Sequence, residues 1–488
     1  MRTPYRLAVA IAAALASANS VAEGYKLYEQ SISSMANAYA GRGAQISDAT
    51  LVYSNPAALT ELQGAQFSGG GSLIYATSRY RDAKATSAQG MPVQGRSHDE
   101  NSLVQPVPFF FYSDKVHPDL GYGVGVFAPF GLSSDYADDF VGRYFADETA
   151  VQVVALQGSV GYRLNSVWSI GAGLNLNHAS GKLSKFKDHN GLCELGTGVN
   201  ALYRMDVYNP AYCQSHYAVE GDDVGVGYSL SLFGKPSTNT RIALIYHSAV
   251  RYTLEGDSTI SNTPITGANV TGIPGFISVA PNLPAINTRT GKLASNPWLT
   301  EASALALTTP ASLVMSADQR LNPRWSVQAS VQWTQWSEFE NISIISTAAT
   351  PTISLSTQQS TNLAKTGYIG YIPEYWQNSW SASLGVTHEY TPDMQLKLGF
   401  AFDENPIEQA HRTARVPTND RTWLTFGATY ALTKALSLDW AYGYLWMPAT
   451  HINEREYNAN DVALYKSGLQ MRVKNHAHVA GVQLNYKF

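Results

Sequence analysis

Two histidines near the C-terminus come closest to a set of catalytic side chains. His476 and His478 lie two positions apart, and Ser467 precedes them. A hydrolase needs a serine or threonine beside a histidine base, and a third residue that orients the base. No nucleophile elbow or metal-binding motif accompanies these residues. Both histidines fall on the outward face of the last predicted strand. Histidine at that position more often belongs to the ring of side chains at the membrane interface than to a catalytic site. The sequence therefore predicts that the chain is not an enzyme.

Several segments of the chain alternate between apolar and polar residues with a period of two. In residues 325–333, Trp, Val, Ala, Val and Trp share one strand face, while Ser, Gln, Ser and Gln share the other. The distance between the two Trp is about 26 Å of strand, or ~20 Å of height at a tilt of about 40°, close to the lipid-facing band of a transmembrane β-barrel. The alternation recurs in residues 168–177, 224–232, 394–403 and 436–446. Aromatic residues at the strand ends and small or polar inward positions favour a barrel over the alternative, a large soluble β-sandwich.

The N-terminus predicts export. Residues 1–22 have the form of a signal peptide, because Arg2 and Arg6 precede an apolar stretch, 7–16, that is too short to cross a bilayer. No later run approaches the ~18 apolar residues of a membrane helix, and only helices and closed barrels satisfy the backbone in lipid. We therefore predict an all-β antiparallel barrel in the outer membrane of a Gram-negative bacterium, in contact with outer-membrane lipid and lipopolysaccharide.

Charge and the C-terminus narrow the expected partners. The net charge of −4 gives no basis for nucleic-acid binding. The chain ends in an alternating stretch, 482–488, whose last residue is Phe488. A terminal aromatic residue is typical of the last strand of an outer-membrane barrel, and we expect the barrel assembly machinery to bind this strand. A monomer without a cofactor is expected.

The connections between strands alternate in length. About fourteen strands are predicted, an even number as such barrels need, and they begin near residues 65, 101, 120, 151, 167, 224, 241, 304, 325, 376, 394, 421, 436 and 471. Short turns alternate with long segments at 185–222, 256–301 and 341–373. Short connections are periplasmic and long ones external in such barrels. Both termini are therefore predicted in the periplasm, and residues 65–488 are predicted to form the barrel.

The segment before the first strand, residues 23–64, does not alternate. Asn55 suits a helix N-cap and Pro56 the first helical position, so a short helix is predicted there. A barrel of this width needs filling, since sixteen strands already leave an aqueous channel. The apolar content of the segment favours a plug inside the lumen over the alternative, a loose periplasmic tail.

Pro129 interrupts the predicted third strand, which begins at Leu120. Proline cannot donate to the ladder, and within sheets it is confined to edges and bulges. A closed barrel has no edge, so one interpretation is a local kink or a gap in the wall. The other interpretation is that Pro129 lies just above the membrane band.

The only two cysteines, Cys193 and Cys213, fall in one predicted outer loop. Neither belongs to a Cys-x-x-Cys pair, and no histidine cluster is near, so neither redox nor metal chemistry is predicted. In an exported protein a disulfide between them is expected, and closing a loop of about 20 residues would contribute ~3 kcal/mol.

The order of the motifs resembles the FadL-type long-chain fatty acid transporters of Gram-negative outer membranes, over essentially the whole mature chain. The segments that carry the resemblance are 24–31, 40–44, 48–49, 55–57, 333–339, 402–406 and 420–424, together with Arg412 and Pro417. Asn-Pro-Ala at 55–57 is a weak signal alone, whereas the ordered series over hundreds of residues is specific.

The resemblance implies a fourteen-stranded barrel with an N-terminal hatch. It also implies capture of a hydrophobic ligand between outer loops, a pocket against the hatch, and sideways exit through a kink in the third strand. The residues that it assigns to the hatch and its ligand contacts are Tyr25, Leu27, Asn55, Pro56 and Ala57. The interruption at Pro129 itself indicates the residues of such a lateral gate, which are Gly125, Phe127, Pro129, Phe130 and Gly131. Because Pro129 lies in the predicted third strand, the kink is favoured over a position above the membrane band.

The resemblance also concerns the ligand carboxylate, which some family members hold with basic residues in the lumen. Lys185 matches one such position, whereas the other falls at Gln377, which is uncharged. Arg251 and Arg421 have the polar parity of their strands and are further candidates. The family also includes uptake channels for aromatic hydrocarbons, so fatty acids and aromatic hydrocarbons are alternative ligands. A general diffusion porin is less consistent with an uncharged lumen and a hatch.

Overall fold

The computed structural model describes most of the predicted barrel and the predicted hatch from Gly24 onward. The described residues are 24–88, 90–188, 214–261, 263–264, 276–277, 286–287, 295–296, 298–350, 353, 367–458, 460–464 and 466–488. The predicted signal peptide, 1–22, and both Cys193 and Cys213 lie outside these residues.

Within the described residues, one antiparallel sheet closes into a barrel of fourteen strands, because the first strand pairs with the last. The continuous strands are β1 (Gln66–Thr86), β2 (Asp99–His117), β3 (Leu120–Asp135), β4 (Glu148–Arg163), β5 (Trp168–Asp188), β6 (Gln214–Ser237), β11 (Met394–Asp403), β12 (Arg421–Ala431) and β14 (Gly468–Lys487). The strands built from two segments are β7 (Thr240–His247 and Val250–Ser261), β8 (Leu299–Thr309 and Ser312–Asn322), β9 (Trp325–Thr334 and Asn341–Ser346), β10 (Tyr368–Pro373 and Ser379–Thr391) and β13 (Leu436–Trp446 and Thr450–Glu454). The prediction of a fourteen-stranded antiparallel barrel is confirmed.

The outward faces are apolar as the alternation predicts. In β9, the side chains of Trp325 and Val331 are exposed, whereas those of Gln328 and Gln332 are buried on the inward face. Trp333 lies opposite Trp380 of β10 at the upper end of this outward face. No helix among the described residues is long and apolar enough to span a membrane.

The long segments predicted as loops contain more strand than the sequence indicated. β5 continues to Asp188 and β6 begins at Gln214, so a ladder covers both ends of 185–222. Residues 341–373 likewise include paired segments of β9 and β10. The segment between β7 and β8 contains two short strand pairs, Thr263–Pro264 with Ser295–Asn296 and Phe276–Ile277 with Ile286–Asn287. Alternation weakens above the lipid band because both faces of a strand can be polar there, whereas the backbone ladder needs no apolar face.

Residues 24–64, here called the N-terminal segment, lie inside the barrel. They form two short helices, α1 (Ile32–Met35) and α2 (Leu51–Ser54), and a 3₁₀ helix, Pro56–Glu61. The predicted cap is present, because the Asn55 side chain accepts a hydrogen bond of 3.1 Å from the Ala57 N–H. Two further 3₁₀ turns, Trp336–Glu338 and Gln409–His411, follow β9 and β11 segments outside the N-terminal segment.

Inward glycines let the N-terminal segment approach the barrel wall. Gly161 of β4 lies opposite Gly171 of β5. A Cβ atom at Gly161 would lie 2.2 Å from the Pro56 carbonyl oxygen, and one at Gly171 would lie 2.2 Å from the Ala57 nitrogen. The small inward residues therefore provide space for enclosed backbone as well as a lumen.

Inward polar residues provide hydrogen-bond partners for the same segment. Gln157 and Ser159 of β4 each donate to the Val52 carbonyl at 2.8 Å. The Ser330 hydroxyl accepts from the Gly41 N–H at 2.9 Å. An irregular segment enclosed in a barrel leaves many backbone groups without helix or sheet partners. The Ser and Gln side chains on the inward strand faces satisfy several of these groups.

Candidate functional site

The third strand contains a β-bulge at Pro129. Phe127 pairs with Ala155 of β4, and the next pair is Phe130 with Val153. Two residues of β3 therefore face one residue of β4, which bends the strand locally. Proline is compatible with this position because it has no N–H to contribute to the ladder. The kink predicted from the sequence is present.

Beyond the bulge, β2 and β3 are no longer paired. Their ladder runs from His117 opposite Leu120 to Phe110 opposite Val126. From there β2 continues in partnership with β1, and β3 continues in partnership with β4. No residue in 99–109 pairs with β3 in the described part of the chain. The wall thus has a gap in its hydrogen-bond ladder between two neighbouring strands.

The start of the N-terminal segment lies along the inner side of this gap. The Leu27 N–H donates to the Pro129 carbonyl at 2.9 Å, and the Gly131 N–H donates to the Tyr25 carbonyl at 2.8 Å. Gln30 Nε2 donates to the carbonyl of Ala128 at 2.9 Å. These bonds satisfy backbone groups of β3 that β2 does not reach. The N-terminal segment therefore takes the place of a neighbouring strand at the kink.

A cavity of about 40 Å³ lies between the kink and the N-terminal segment. Phe127, Pro129 and Phe130 line one side, and Lys26 and Tyr53 line another. The interruptions of β7 and β8 form its far wall through His247, Ser248, Val250, Thr309, Pro310 and Ser312. Three predicted gate residues thus share one cavity with two residues of the N-terminal segment.

Gly125 leaves room for an aromatic stack at the edge of the gap. It lies opposite Phe111 of β2, and a Cβ atom at Gly125 would approach the Phe111 ring to 2.2 Å. The Phe111 ring stacks on Phe127, with centroids 5.5 Å apart and planes 22° apart. The sequence did not identify Phe111, because an inward Phe within a strand has the same pattern as a packing residue.

An apolar cluster extends from the cavity toward the outer end of the lumen. Tyr25 contacts both Trp336 and Trp376, with ring centroids 4.8 Å and 5.8 Å away. Other buried members of the cluster are Leu132, Leu183, Val219, Leu254, Leu305 and Ile353. Leu27 belongs to a second cluster around the lower part of the N-terminal segment. Enclosed apolar surface of this kind suits a hydrophobic ligand.

Charged contacts anchor the end of the N-terminal segment that faces the short turns. Glu61 pairs with Arg163 at 3.0 Å and with Lys235 at 2.6 Å. Lys115 and Arg163 also donate to the Thr60 carbonyl, at 2.7 Å and 2.6 Å. The anchor joins the segment to β2, β4 and β6. The sequence did not indicate this cluster, since its members are spread over nearly 180 positions.

Two of the three predicted carboxylate-binding residues already have protein partners in the lumen. Lys185 forms an ion pair with Glu456 at 2.7 Å. Arg421 is buried and donates to the Thr418 hydroxyl at 2.8 Å. Strand parity predicted the interior position of Arg421, and the family resemblance predicted that of Lys185. It could not reveal Glu456, which lies 271 positions away.

The third predicted residue, Arg251, does not face the lumen. Its side chain is 77% exposed and pairs with Glu338 at 2.9 Å. β7 resumes at Val250 after an interruption, and both Val250 and Tyr252 point inward. The prediction that Arg251 faces the lumen is therefore wrong. The interruption of β7 before Val250 changes which alternate residues of the second segment face inward, and Arg251 is among those that face outward.

Arg415 is a lumenal cation that the sequence did not single out. Its side chain is buried, and its guanidinium donates to the Thr149 hydroxyl at 3.1 Å and the Ser184 carbonyl at 3.0 Å. Its Nε has no hydrogen-bond partner in the described part of the chain. The next residue, Val416, belongs to the apolar cluster. Arg415 lies in the non-alternating segment 404–420, where parity gives no indication of direction.

Two buried carboxyl groups lie near Arg415, above the lipid-facing band. Burial raises the pKa of Glu374 to about 8, although the Trp376 indole N–H donates to it at 2.8 Å. Burial also raises the pKa of Glu454 to about 7, against the opposing effects of the Ala414 N–H and Arg415. Glu374 is therefore mostly protonated near neutral pH and Glu454 about half protonated, so the two acids compensate the Arg415 charge only in part.

Sequence comparison finds similarity to transport proteins along nearly the full chain. Residues 13–488 match the family described as outer membrane protein transport protein (OMPP1/FadL/TodX). The long-chain fatty acid transport protein of Escherichia coli (strain K12) is 26% identical over 492 residues, which cover 99% of this chain and 98% of that protein. Outer membrane protein P1 of Haemophilus influenzae (strain ATCC 51907 / DSM 11121 / KW20 / Rd) is 27% identical over 507 residues, with 98% of each covered.

Structure comparison gives the same fold. A FadL homologue of Pseudomonas aeruginosa superposes with a TM-score of 0.77 at 21% identity, covering 95% of this chain and 100% of that one. The toluene transporter TodX of Pseudomonas putida superposes with a TM-score of 0.63 at 18% identity, covering 96% and 100%. Both are similar in architecture over the whole barrel.

Proposed function

The chain belongs to the OMPP1/FadL/TodX family of outer membrane transport proteins, and we propose that it takes up long-chain fatty acids passively by a sideways route. It is an outer-membrane transporter of hydrophobic molecules and not an enzyme. In the proposed route, outer loops capture the ligand, the apolar cluster and the cavity bind it against the N-terminal segment, and it leaves through the gap between β2 and β3.

The observation that carries this route is the gap in the ladder directly in front of the cavity. Phe127, Pro129 and Phe130 line the cavity and also belong to the strand edge that β2 leaves unpaired. Among the described residues, hydrogen bonds from 25–30 of the N-terminal segment cover that edge from inside. A displacement of these few residues would join the cavity to the outer face of the barrel. The route therefore needs no rearrangement of the remaining strands.

The anchor at Glu61 argues against a straight path into the periplasm. Its ion pairs with Arg163 and Lys235 hold the lower end of the N-terminal segment to two strands. Each hydrogen bond to a charged group contributes about 1.5–3 kcal/mol, and Glu61 accepts from two cations. The contacts at the kink are neutral backbone hydrogen bonds of about 1 kcal/mol each. The kink is thus the weaker of the two attachments.

The energetics suit a ligand that moves without an energy source. Each CH₂ group transferred from water to apolar surroundings contributes ~0.8 kcal/mol. The apolar cluster provides such surroundings, and exit at the level of the outward apolar face would deliver the chain into lipid. Arg415 is the proposed partner of the carboxylate, since it is buried beside the apolar cluster. Lys185 is held by Glu456, and Arg251 lies outside.

An aromatic hydrocarbon is the second candidate ligand. The cavity at the kink is lined by the rings of Tyr53, Phe127 and Phe130, and aromatic rings pack favourably on one another. The related structure of Pseudomonas putida is named as a toluene transporter. Native mass spectrometry of gently extracted protein, showing whether the bound molecule carries a carboxylate, would separate the two ligands.

The test of the sideways route is to narrow the gap while leaving the binding cluster unchanged. Pro129→Val, Gly131→Val and Gly125→Val are each expected to slow fatty acid uptake with ligand binding largely preserved. In Gly125→Val the new side chain must displace the Phe111 ring, which lies at the edge of the gap. Gly158→Val is the matched control, because a Cβ atom at Gly158 of β4 meets open space. Unimpaired uptake in all three correctly folded variants would indicate a route past the N-terminal segment instead.

A further inference from the structure

Cationic side chains lie directly opposite each other on the outward face of β1 and β14. Arg79 pairs in register with Lys474, and Arg81 pairs with Arg472. All four side chains are exposed. Like charges on directly opposite residues destabilise a sheet. This arrangement, here called the basic face, therefore lowers the stability of the ladder unless an anion binds to it.

The protein itself supplies little compensating charge at the basic face. Glu100 pairs with Arg79 at 2.6 Å, and both side chains are about half exposed. No carboxylate lies within ion-pair distance of Arg81, Arg472 or Lys474 in the described part of the chain. Three cations are thus available to an external ligand within one patch.

A β-bulge adds a fourth cation to the same patch. The register of β1 against β14 shifts between Arg81 and Lys84. Asp82 in this bulge has a φ of +56°, a conformation that costs free energy for a residue other than glycine. In an unbroken strand, residues three apart point to opposite faces, whereas here both Arg81 and Lys84 are exposed and Ala83 is buried between them. The bulge therefore redirects Lys84 outward.

The height of the basic face on the barrel indicates what the ligand is. Tyr75 and His478 lie opposite each other at the upper end of the apolar outward face. Arg79 and Lys474 are each four residues further out, which corresponds to roughly 10 Å of height for tilted strands. In the outer leaflet this level lies just above the acyl chains, where lipid A carries its phosphate groups.

The opposite side of the barrel has the reverse charge at a comparable height. Glu220 pairs in register with Asp257, and Asp222 pairs with Glu255, across β6 and β7. These four side chains are exposed on the outward face. The cations are therefore gathered on β1 and β14 rather than spread around the rim. A general attraction to an anionic surface would not require this separation.

We propose that the basic face is a binding site for lipopolysaccharide, with Arg81, Lys84, Arg472 and Lys474 holding the phosphate groups of lipid A. Arginine and lysine at a strand surface bind phosphate through charge-assisted hydrogen bonds. The acyl chains of the same molecule would lie on the outward apolar face below, which includes Leu73 and Tyr75. The site is separate from the transport route and independent of which ligand is transported.

The experiment titrates refolded, lipopolysaccharide-free protein with bisphosphorylated lipid A and, in parallel, with dephosphorylated lipid A. Bound lipid is counted by native mass spectrometry. The double variant Arg81→Gln/Arg472→Gln removes one opposed pair. Each cation near an anionic lipid surface contributes about fivefold in affinity, so the pair is expected to weaken binding of bisphosphorylated lipid A by roughly twenty-five-fold. Binding of dephosphorylated lipid A should be weak and unaffected.

The matched control is Arg320→Gln/Arg324→Gln, which makes the same change in net charge near the short turn between β8 and β9. Both control residues are exposed, at the opposite end of the barrel from the basic face. Heat-modifiable migration on gels verifies folding of each variant. Equal loss of lipid A in both double variants would overturn the site, as would equal binding of the phosphorylated and dephosphorylated lipids. Loss confined to the basic-face variant and to phosphorylated lipid supports it.

Discussion

The backbone N–H of Leu27 donates a hydrogen bond of 2.9 Å to the carbonyl of Pro129. This bond joins the N-terminal segment to the kink of β3, at the point where the ladder with β2 has ended. The Gly131 N–H completes the pairing through the Tyr25 carbonyl. A ligand that displaces residues 25–27 from the cavity would therefore also uncover the strand edge. In the proposed route, these few backbone bonds would couple binding to exit.

Leu27→Pro is expected to loosen this attachment. The substitution removes the N–H donor to Pro129, and one backbone hydrogen bond contributes about 1 kcal/mol. Hydrogen–deuterium exchange at Gly131, measured on the peptide that contains it, should rise by roughly fivefold. Leu27→Ala is the control, because it shortens the same buried side chain but keeps the N–H. Equal exchange in the two variants would show that side-chain packing, and not the hydrogen bond, holds the segment at the kink.

Glu61→Gln is expected to weaken the lower anchor of the N-terminal segment. The substitution removes the charge that Arg163 and Lys235 share, and leaves two cations close together. Ion conductance through single molecules in a planar bilayer should increase, because the segment then blocks the lumen less tightly. Glu100→Gln, which breaks an exposed ion pair on the outward face, should leave the conductance unchanged. Unchanged conductance in Glu61→Gln would show that the anchor does not keep the lumen closed.

The N-cap at Asn55 provides an independent test of the same segment. Asn55 accepts from the Ala57 N–H and donates to the Gly43 carbonyl at 2.7 Å, so it joins two parts of the segment. Asn55→Ala should destabilise the segment by about 1–2 kcal/mol, since both a cap and a buried partner are lost. Proteolysis of the folded barrel should then cut within 24–64 faster than in the unchanged protein. Asn55→Asp, which keeps the cap acceptor, should be cut at an intermediate rate.

The sequence predicted those features that depend on local chemistry. Alternation located the fourteen strands, and the Asn-Pro pair at 55–56 located a helix start. Pro129 located the bulge because proline lacks a ladder donor. The limits of prediction appear where distant residues meet. Nothing near Lys185 indicates its ion pair with Glu456, and nothing near Gly171 indicates that backbone from the N-terminal segment lies against it.

Arg415 illustrates a second limit. It lies in 404–420, a segment without period-two alternation, so its inward direction had no signal in the sequence. Arg251 had such a signal but was misplaced, because the interruption before Val250 resets the parity of β7. Alternation therefore predicts side-chain direction only within one uninterrupted strand.

Arg415→Met should distinguish a fatty acid site from a general apolar site. A hydrogen bond to a charged group contributes about 1.5–3 kcal/mol, so affinity for a long-chain fatty acid should fall by roughly ten- to a hundredfold. Affinity for the alcohol of the same chain length should change little. Arg415→Lys should restore part of the fatty acid affinity, because it restores the charge. Equal losses for the acid and the alcohol would assign Arg415 a packing role.

Glu374 gives the protein a specific dependence of stability on pH. Burial raises its pKa from an ordinary value of 4.5 to about 8 in the folded protein. Between these values the unfolded chain is ionised at Glu374 while the folded chain keeps the proton. The contribution of Glu374 to the free energy of unfolding is therefore greatest below about pH 4.5. This contribution is lost as the pH rises from there through about 8. The raised pKa of Glu454 acts in the same direction.

The melting temperature, followed by heat-modifiable migration, should accordingly fall between pH 5 and pH 8 in the unchanged protein. Glu374→Gln keeps the size of the side chain and cannot ionise, so its melting temperature should fall less over this range. Glu340→Gln is the matched control, because Glu340 is exposed and directly precedes the second segment of β9, where its carbonyl accepts from the Glu374 N–H at 2.8 Å. A pH dependence that is unchanged in Glu374→Gln would place the destabilising ionisation elsewhere, with Glu454 as the next residue to substitute.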